Sequence, residues 1–313
     1  MLNSYIFNIE KYIYVALKKY TKRIIINSNI SVSNVDRVMQ KVIDDHADLF
    51  YINKWNSGIY SNRLIVEPFY IYTRKDIKRI SEECEKQLCV ILSRIDNMSE
   101  LDQMKTLHDI LIRNIEYYDC DDLYIYHTII GPLLKRKSVC DGYSRLYKLL
   151  LDRINIPCIV VRGRGFNTSL LDSELHLWNM INYQGKWYHI DVTYDNALSL
   201  ADYIRYDYFL VDESVISIDH YYDKNSSPKA LDNSRNPYDK EPILKNAKDV
   251  IGLINKNILL NRKDFIVRIG SNCDDSEEFV NRCINEVINK NQINKIFEYY
   301  INESRGIVHI RIR

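Results

Sequence analysis

No stretch of this sequence approaches the roughly 18 consecutive apolar residues of a membrane-spanning helix. The opening run MLNSYIFNIEKYIYVALKKY lacks an uninterrupted apolar segment and a small-residue cleavage site, because Glu10, Lys11, Lys18 and Lys19 break it into an amphipathic helix pattern. With Met1 as the native start, that is the pattern of a cytoplasmic protein, and secretion or cell-surface display would need a leader removed from the chain. Charge of one sign is also missing: the formal net charge is +1 and the pI about 7.6. Phosphate binding normally shows as a basic excess or stripe, so nucleic acid is not the expected partner. The seven cysteines, Cys84, Cys89, Cys120, Cys140, Cys158, Cys273 and Cys283, include no C-x-x-C pair and are odd in number. A disulfide framework is thereby disfavoured, and buried thiols in a reducing compartment are expected at Cys84, Cys158 and Cys283. Metal-ligand spacing is absent among these cysteines and the seven histidines, so neither a metal nor a cofactor is expected. Internal repeats are absent as well.

What is present is a globular balance, 46% hydrophobic and 27% charged residues over 313 positions, long enough for one large domain or two to three smaller ones. The heavy use of Ile, Asn, Lys and Tyr is that of an AT-rich, Firmicute-type genome. Residues 1–72 read as an N-terminal α/β region, with Ser33 as N-cap of a helix burying Val35, Val38, Met39 and Val42. Thr73 with Asp76 and Ser99 with Asp102 form capping boxes for two further helices. The first of these carries Ile77, Ile80, Cys84, Leu88 and Ile91 at helical spacing, and the second places His108 on its apolar stripe, as a core histidine. Residues 73–222 are expected to form the central domain. Residues 223–242, polar and containing Pro228, Pro237 and Pro242, read as a linker. Residues 243–313 read as a small α/β module with a helix over Val250–Leu260, a strand Phe265–Ile269, a helix capped by Asp274 and Glu277, and a hairpin turning at Gly306.

Chemistry concentrates between Ser138 and Asp195. SVCDGYSRLYKLLLDRINIPC predicts a helix from Val139 to about Ile154, with Tyr143, Leu146, Tyr147, Leu150 and Ile154 on one stripe. Ser138 is its expected cap, with Asp141 completing the box. Cys140 then lies in the first turn, where free backbone N–H groups and the helix dipole favour a thiolate, although Asp141 opposes it. After the strand Cys158–Arg162 a glycine-rich loop is expected at Gly163 and Gly165. LHLWNMINYQGKWYHIDVTY then predicts a hairpin turning on Gln184-Gly185. In that register Asp191 lies opposite Trp178 and diagonal to His176, with Cα atoms on the order of 7–8 Å apart. Cys140, His176 and Asp191 therefore read as nucleophile, base and orienting acid. His189 shares the strand parity of Asp191 and is the contender for the base. Tyr143, Trp178, Trp187 and Tyr188 suit an aromatic substrate groove or, equally by spacing, an aromatic core.

The segments V-C-D-G-Y (Val139–Tyr143), H-L-W-N (His176–Asn179) and W-Y-H-I-D-V-T-Y (Trp187–Tyr194) resemble the transglutaminase-like superfamily, its bacterial cysteine protease and transglutaminase branch in particular. Leu107 to Tyr117 and Ile130 to Leu134 share the likeness, which covers roughly residues 75–215. Leu177 stands where many relatives carry a small residue, and Tyr194 where tryptophan is frequent. The resemblance implies an α+β, papain-like core with the nucleophile helix packed on an antiparallel sheet. It implies a thioester intermediate and a protein or peptide substrate offering an amide side chain or a peptide bond. Hydrolysis is expected ahead of transamidation, and a non-catalytic peptide-binding scaffold on the same fold is the alternative.

Overall fold

The computed structural model describes residues 2–27, 31–61, 63–118, 124–166, 172–270, 276–292 and 295–313. Cys120, Cys273 and the capping residue Asp274 lie outside them. The chain divides into two compact units, the first comprising Met1–Arg162 with His176–Tyr183, the second Gly163–Leu175 with Gln184–Arg313.

The first unit opens with helices α1 (Leu2–Lys18) and α2 (Val32–Asp45) around a three-stranded antiparallel sheet of order β1-β3-β2, namely Ile24–Ile26, Arg63–Tyr70 and Ile52–Tyr60. Ser31, not Ser33, caps α2 by accepting from the Asn34 amide, and the apolar stripe Val35, Val38, Met39 and Val42 is buried as its spacing requires. Helices α3 (Arg74–Leu92) and α4 (Glu100–Asn114) begin where the capping boxes predict. Thr73 and Ser99 each accept from the amide three residues on, at 3.2 Å in both cases. The histidine on the α4 stripe, His108, is fully buried against Asp109.

Next come a short parallel pair, β4 (Glu116–Tyr117) with β5 (Lys137–Ser138), and a π-helical turn, Gly131–Lys135, before it. β5 runs straight into helix α5 (Cys140–Arg153). Strand β6 (Cys158–Gly165) starts in this unit, and β7 (Glu174–Tyr183) ends in it. Tyr143, Leu146, Tyr147 and Leu150 are buried as the stripe predicts, but so are Ser144, Arg145 and Lys148. α5 is thus enclosed nearly all round. A helix in that setting must satisfy its polar side chains internally. Two of the Arg145 guanidinium nitrogens find partners, donating to Asp44 Oδ1 at 2.7 Å and to the His127 carbonyl at 2.6 Å. Arg162 adds two bonds to the same Asp44 carboxylate, at 3.1 and 2.9 Å, so one buried acid ties α2, α5 and β6 together.

In the second unit Gly163 and Gly165 are strand residues, not a loop. They extend β6 and pair antiparallel with β10 (His220–Tyr222), Gly165 opposite His220. The sequence expectation failed because glycine discourages strands intrinsically, while a ladder partner overrides that preference. β8 (Lys186–Ile190) pairs antiparallel with β9 (Phe209–Val211), with α6 (Val192–Leu198) and α7 (Glu213–Ile216) alongside in sequence. Gln184 and Gly185, joining β7 to β8, have φ of 53° and 80°, the two positive values a two-residue type I′ turn needs.

The remainder is a four-stranded sheet of order β11-β12-β14-β13, namely Ile243–Leu244, Asp264–Ile269, Ile307–Ile312 and Phe297–Asn302. Helices α8 (Ala247–Leu259) and α9 (Ser276–Asn291) share one core with it, in which Val250, Ile254, Val267, Val280, Cys283 and Val308 are inaccessible to solvent. Between β10 and β11 the polar stretch 223–242 holds three buried side chains, Ala230, Asn236 and Tyr238. Asn236 donates to the Tyr206 and Phe209 carbonyls, and the Tyr238 hydroxyl accepts from the Tyr206 amide.

Candidate active site

Cys140 is the first residue of α5, and the N-cap is Val139, whose side chain cannot accept. The expected Ser138–Asp141 box does not form. Ser138 is buried in β5 with its one hydroxyl hydrogen shared between the Val139 carbonyl at 2.9 Å and the Tyr126 carbonyl at 3.1 Å, and the Asp141 carboxylate is engaged elsewhere. Burial works to raise the Asp141 pKa, but a hydrogen bond from His127 and the charges of Arg145 and Arg162 outweigh it and hold it at about 2. Asp141 is therefore a carboxylate at neutral pH, and its Oδ1 lies 3.6 Å from Cys140 Sγ. The helix start therefore presents the Cys140 thiol both to free first-turn N–H groups and to a carboxylate. Cys140 itself is only 8% exposed.

Gly142 explains the glycine two residues on. A Cβ there would meet Ser138 Oγ, the Tyr126 carbonyl oxygen at 2.6 Å and the Thr128 carbonyl oxygen at 2.9 Å. Only hydrogen fits between the first turn of α5 and the chain that crosses it.

The strand carrying His176 is fastened to the same helix. Ser144, one turn along α5 from Cys140, donates to the Leu177 carbonyl at 2.8 Å. Asn179 returns a bond to the Ser144 carbonyl at 3.0 Å and touches Cys158 Sγ at 3.5 Å. The asparagine of H-L-W-N is thus a clamp between β7 and α5, a role no local pattern would have indicated. The His176 ring lies near-parallel to the Trp178 indole, with centroids 5.8 Å apart, and both are buried. Tyr143 is fully buried too, its hydroxyl donating to the Ile115 carbonyl. Tyr143 and Trp178, considered for substrate contact, present no surface in this conformation.

In the second unit Asp191 caps α6. Its Oδ1 accepts from the Thr193 and Tyr194 amides at 2.9 and 3.0 Å, and its backbone N–H donates to the Tyr208 carbonyl at 3.0 Å. Its Oδ2 lies 2.9 Å from His220 Nε2, while His220 Nδ1 lies 2.6 Å from Asp219 Oδ1. Burial opposes protonation of His220, yet the two carboxylates raise its pKa to about 9. His220 was not foreseen; it stands in a three-residue strand without periodicity, 29 positions from Asp191. Asp191 and His220 are both able to bind metals, but here each ring nitrogen of His220 already faces a carboxylate.

His189, the contender, is fully buried with Nε2 3.1 Å from the Tyr222 hydroxyl. Burial, with the charges of His220 and Lys224, lowers its pKa to about 3. Among the other cysteines, burial pushes the Cys84 thiol up to about 12 and the Cys158 thiol higher still.

Comparison with known proteins finds a likeness over part of the chain. Residues 91–192 match the family model for the core of the transglutaminase-like superfamily. That stretch of the chain resembles a transglutaminase-like core. The organisation of the chain is α+β, with mostly antiparallel sheets. The mouse kyphoscoliosis peptidase is 26% identical over 106 residues, 30% of this chain and 16% of that protein. The match thus spans about a sixth of the curated relative. Among solved structures, a candidate cysteine protease from Cytophaga hutchinsonii is similar at 16% identity and TM-score 0.31, over 45% of this chain and 61% of its own. A structure described as a TGase is similar at 12% identity and TM-score 0.33, over 71% of this chain and 58% of its own. The matched residues 91–192 include all three residues of the expected triad, with Asp191 next to the last matched position.

Proposed function

We propose that the chain is a thiol acyl-transfer enzyme in which Cys140 is the nucleophile, His176 the base and Asp191 the acid that orients the base. The observation that carries this reading is the clamp within the first unit. Cys140 opens α5, and the residue after His176 is bonded to that helix one turn further on. The family match supplies the class of chemistry.

In this mechanism His176 removes the thiol proton, leaving a thiolate–imidazolium pair, and Asp191 fixes the ring tautomer and stabilises its positive charge. The thiolate attacks an amide carbonyl. The backbone N–H of Cys140, among the first-turn donors that an α-helix leaves without an internal acceptor, stabilises the oxyanion. The imidazolium gives its proton to the departing amine or ammonia, and a thioester remains. Water resolves the thioester by hydrolysis, or a primary amine by transamidation. We favour hydrolysis of a peptide or amide bond. His189 is unsuited to the base role: with its pKa near 3 it holds too little proton affinity to activate a thiol at neutral pH.

One observation favours the second reading, a peptide-binding scaffold without catalysis: Cys140 is buried beside a carboxylate. Iodoacetamide labelling near neutral pH separates the two. For an enzyme, Cys140 reacts faster than the other cysteines and slows when His176 is changed to Ala; equal and unaltered labelling sinks the enzymatic reading. Incubating wild type and Cys140→Ala with a peptide library, with and without a primary amine, then chooses the branch. Cysteine-dependent cleavage, deamidation or amine incorporation in the mass spectrum each names a different reaction.

A further inference from the structure

We propose that His220 is a positioning residue of the cysteine site, an imidazolium clamped between Asp219 and Asp191 that aims the Asp191 carboxylate. The inference rests on the triad reading above. Its geometric basis is that both ring nitrogens of His220 face carboxylate oxygens, at 2.6 and 2.9 Å. An ionised carboxylate can only accept, so both nitrogens must carry hydrogen, and the ring is cationic. The raised pKa agrees.

A carboxylate offers about four lone-pair positions. In this unit two backbone amides take Asp191 Oδ1 and His220 takes Oδ2. The fourth is the one the triad reading gives to His176. Three fixed donors, one of them charged, hold the carboxylate plane in a single orientation and favour its ionised form.

His220 is itself held from behind. The Tyr208 hydroxyl donates to Asp219 Oδ2, and Asn302 of β13 donates to the Tyr208 oxygen at 3.2 Å and to Asp207 Oδ2 at 3.0 Å. Asp207 in turn receives Arg205 through two bonds, at 2.7 and 2.8 Å, with both side chains fully buried. A continuous polar chain thus runs from the C-terminal hairpin to Asp191. The Tyr194 ring covers one side of the His220 imidazole at 4.5 Å, and the Tyr208 ring lies 5.5 Å away. Within this unit the titratable groups facing His220 include Asp191, Asp219, Tyr194 and Tyr208, and His189 feels its charge from β8.

The test follows alkylation of Cys140 by iodoacetamide against pH, read at the Cys140 peptide by mass spectrometry, in wild type, Asp191→Asn, His220→Phe and His220→Gln. His220→Phe removes donor and charge, whereas His220→Gln keeps an uncharged donor. With Asp191 released, thiolate forms only at higher pH. The acid limb of the profile should move up by on the order of one unit in His220→Phe and by less in His220→Gln, while the rate at neutral pH falls about 10-fold. Circular dichroism establishes that each variant is folded; should His220→Phe not fold, His220→Gln carries the comparison. If both His220 variants keep the wild-type profile while Asp191→Asn shifts it, His220 is structural only and the proposal is overturned. If Asp191→Asn itself leaves the profile unchanged, the triad reading fails first, and this inference falls with it.

Discussion

At the scale of single residues, the cysteine turn is defined as much by what does not fit as by what reacts. Gly142 touches two carbonyl oxygens and the Ser138 hydroxyl at the place where any other residue would put its Cβ. Backbone atoms cannot yield as a flexible side chain can. Gly142→Ala is therefore expected to destabilise the protein by about 1–3 kcal/mol, with a matching loss of Cys140 reactivity. Urea unfolding measures it, and a change within ~0.5 kcal/mol would show that the crossing chain relaxes easily. The same crowding explains why Ser138 cannot cap α5: its hydroxyl already serves Tyr126 and Val139. From sequence, Ser138 followed by Asp141 is indistinguishable from Thr73 followed by Asp76, which does cap. The difference is that Ser138 sits in a strand, in a backbone conformation fixed by β4.

Between elements, the buried Asp44 is the junction of α2, α5 and β6 in the first unit. Its partners lie 101 and 118 residues away, so no local pattern could reveal them. Taking charges out of water is costly, and a buried ion cluster survives only while complete. Asp44→Asn keeps the volume but leaves the buried Arg145 guanidinium with only the more distant Asp141 carboxylate, 3.8 Å away, as a counter-charge. A loss of about 3–5 kcal/mol is expected by chemical denaturation. The solvent-exposed pair Arg79–Glu83 provides the contrast: Glu83→Gln should change stability by no more than ~0.5 kcal/mol. Equal effects at the two sites would mean that Asp44 is better hydrated than its burial indicates. The helix start that presents Cys140 depends on this junction, since Arg145 is bonded both to Asp44 and to the His127 carbonyl.

For the whole molecule, two buried histidines in the second unit impose opposite slopes of stability against pH. His220 is raised from 6.5 to about 9, so the folded state binds more protons than the unfolded one between those values. Its contribution is fully present below about 6.5 and is lost as pH rises through 9. His189 is lowered from 6.5 to about 3, so below 6.5 the unfolded state takes up the proton that the folded state refuses. Stability falls as pH drops from 6.5 towards 3. Their two contributions together peak near pH 6.5, and urea midpoints across pH 4 to 9 should trace that dome. His189→Asn should flatten the acid side alone, and His220→Gln the alkaline side, with a smaller easing of the acid side because the charge of His220 helps depress His189. A slope that persists after both changes would assign the dependence to other groups.

Much of the fold was legible from local pattern. The capping boxes at Thr73 and Ser99, the α5 stripe, the Gln184-Gly185 turn and the strand from Phe265 to Ile269 follow from side-chain spacing and backbone preference over a few residues. Hydrophobic period and turn chemistry act locally, and a sequence displays them directly. Cys140 at a helix start was legible for the same reason, and so were the histidine and aspartate flanking a tight turn. Tertiary structure alone decided the rest: that Gly163 and Gly165 belong to a strand, that Asn179 clamps β7 to α5, and that Asp44 joins three elements. It alone set His220 behind Asp191, with the C-terminal hairpin behind His220. Those are long-range polar contacts. Their partners are chosen by burial, which obliges each isolated charge or donor to find whichever complement the fold brings within reach.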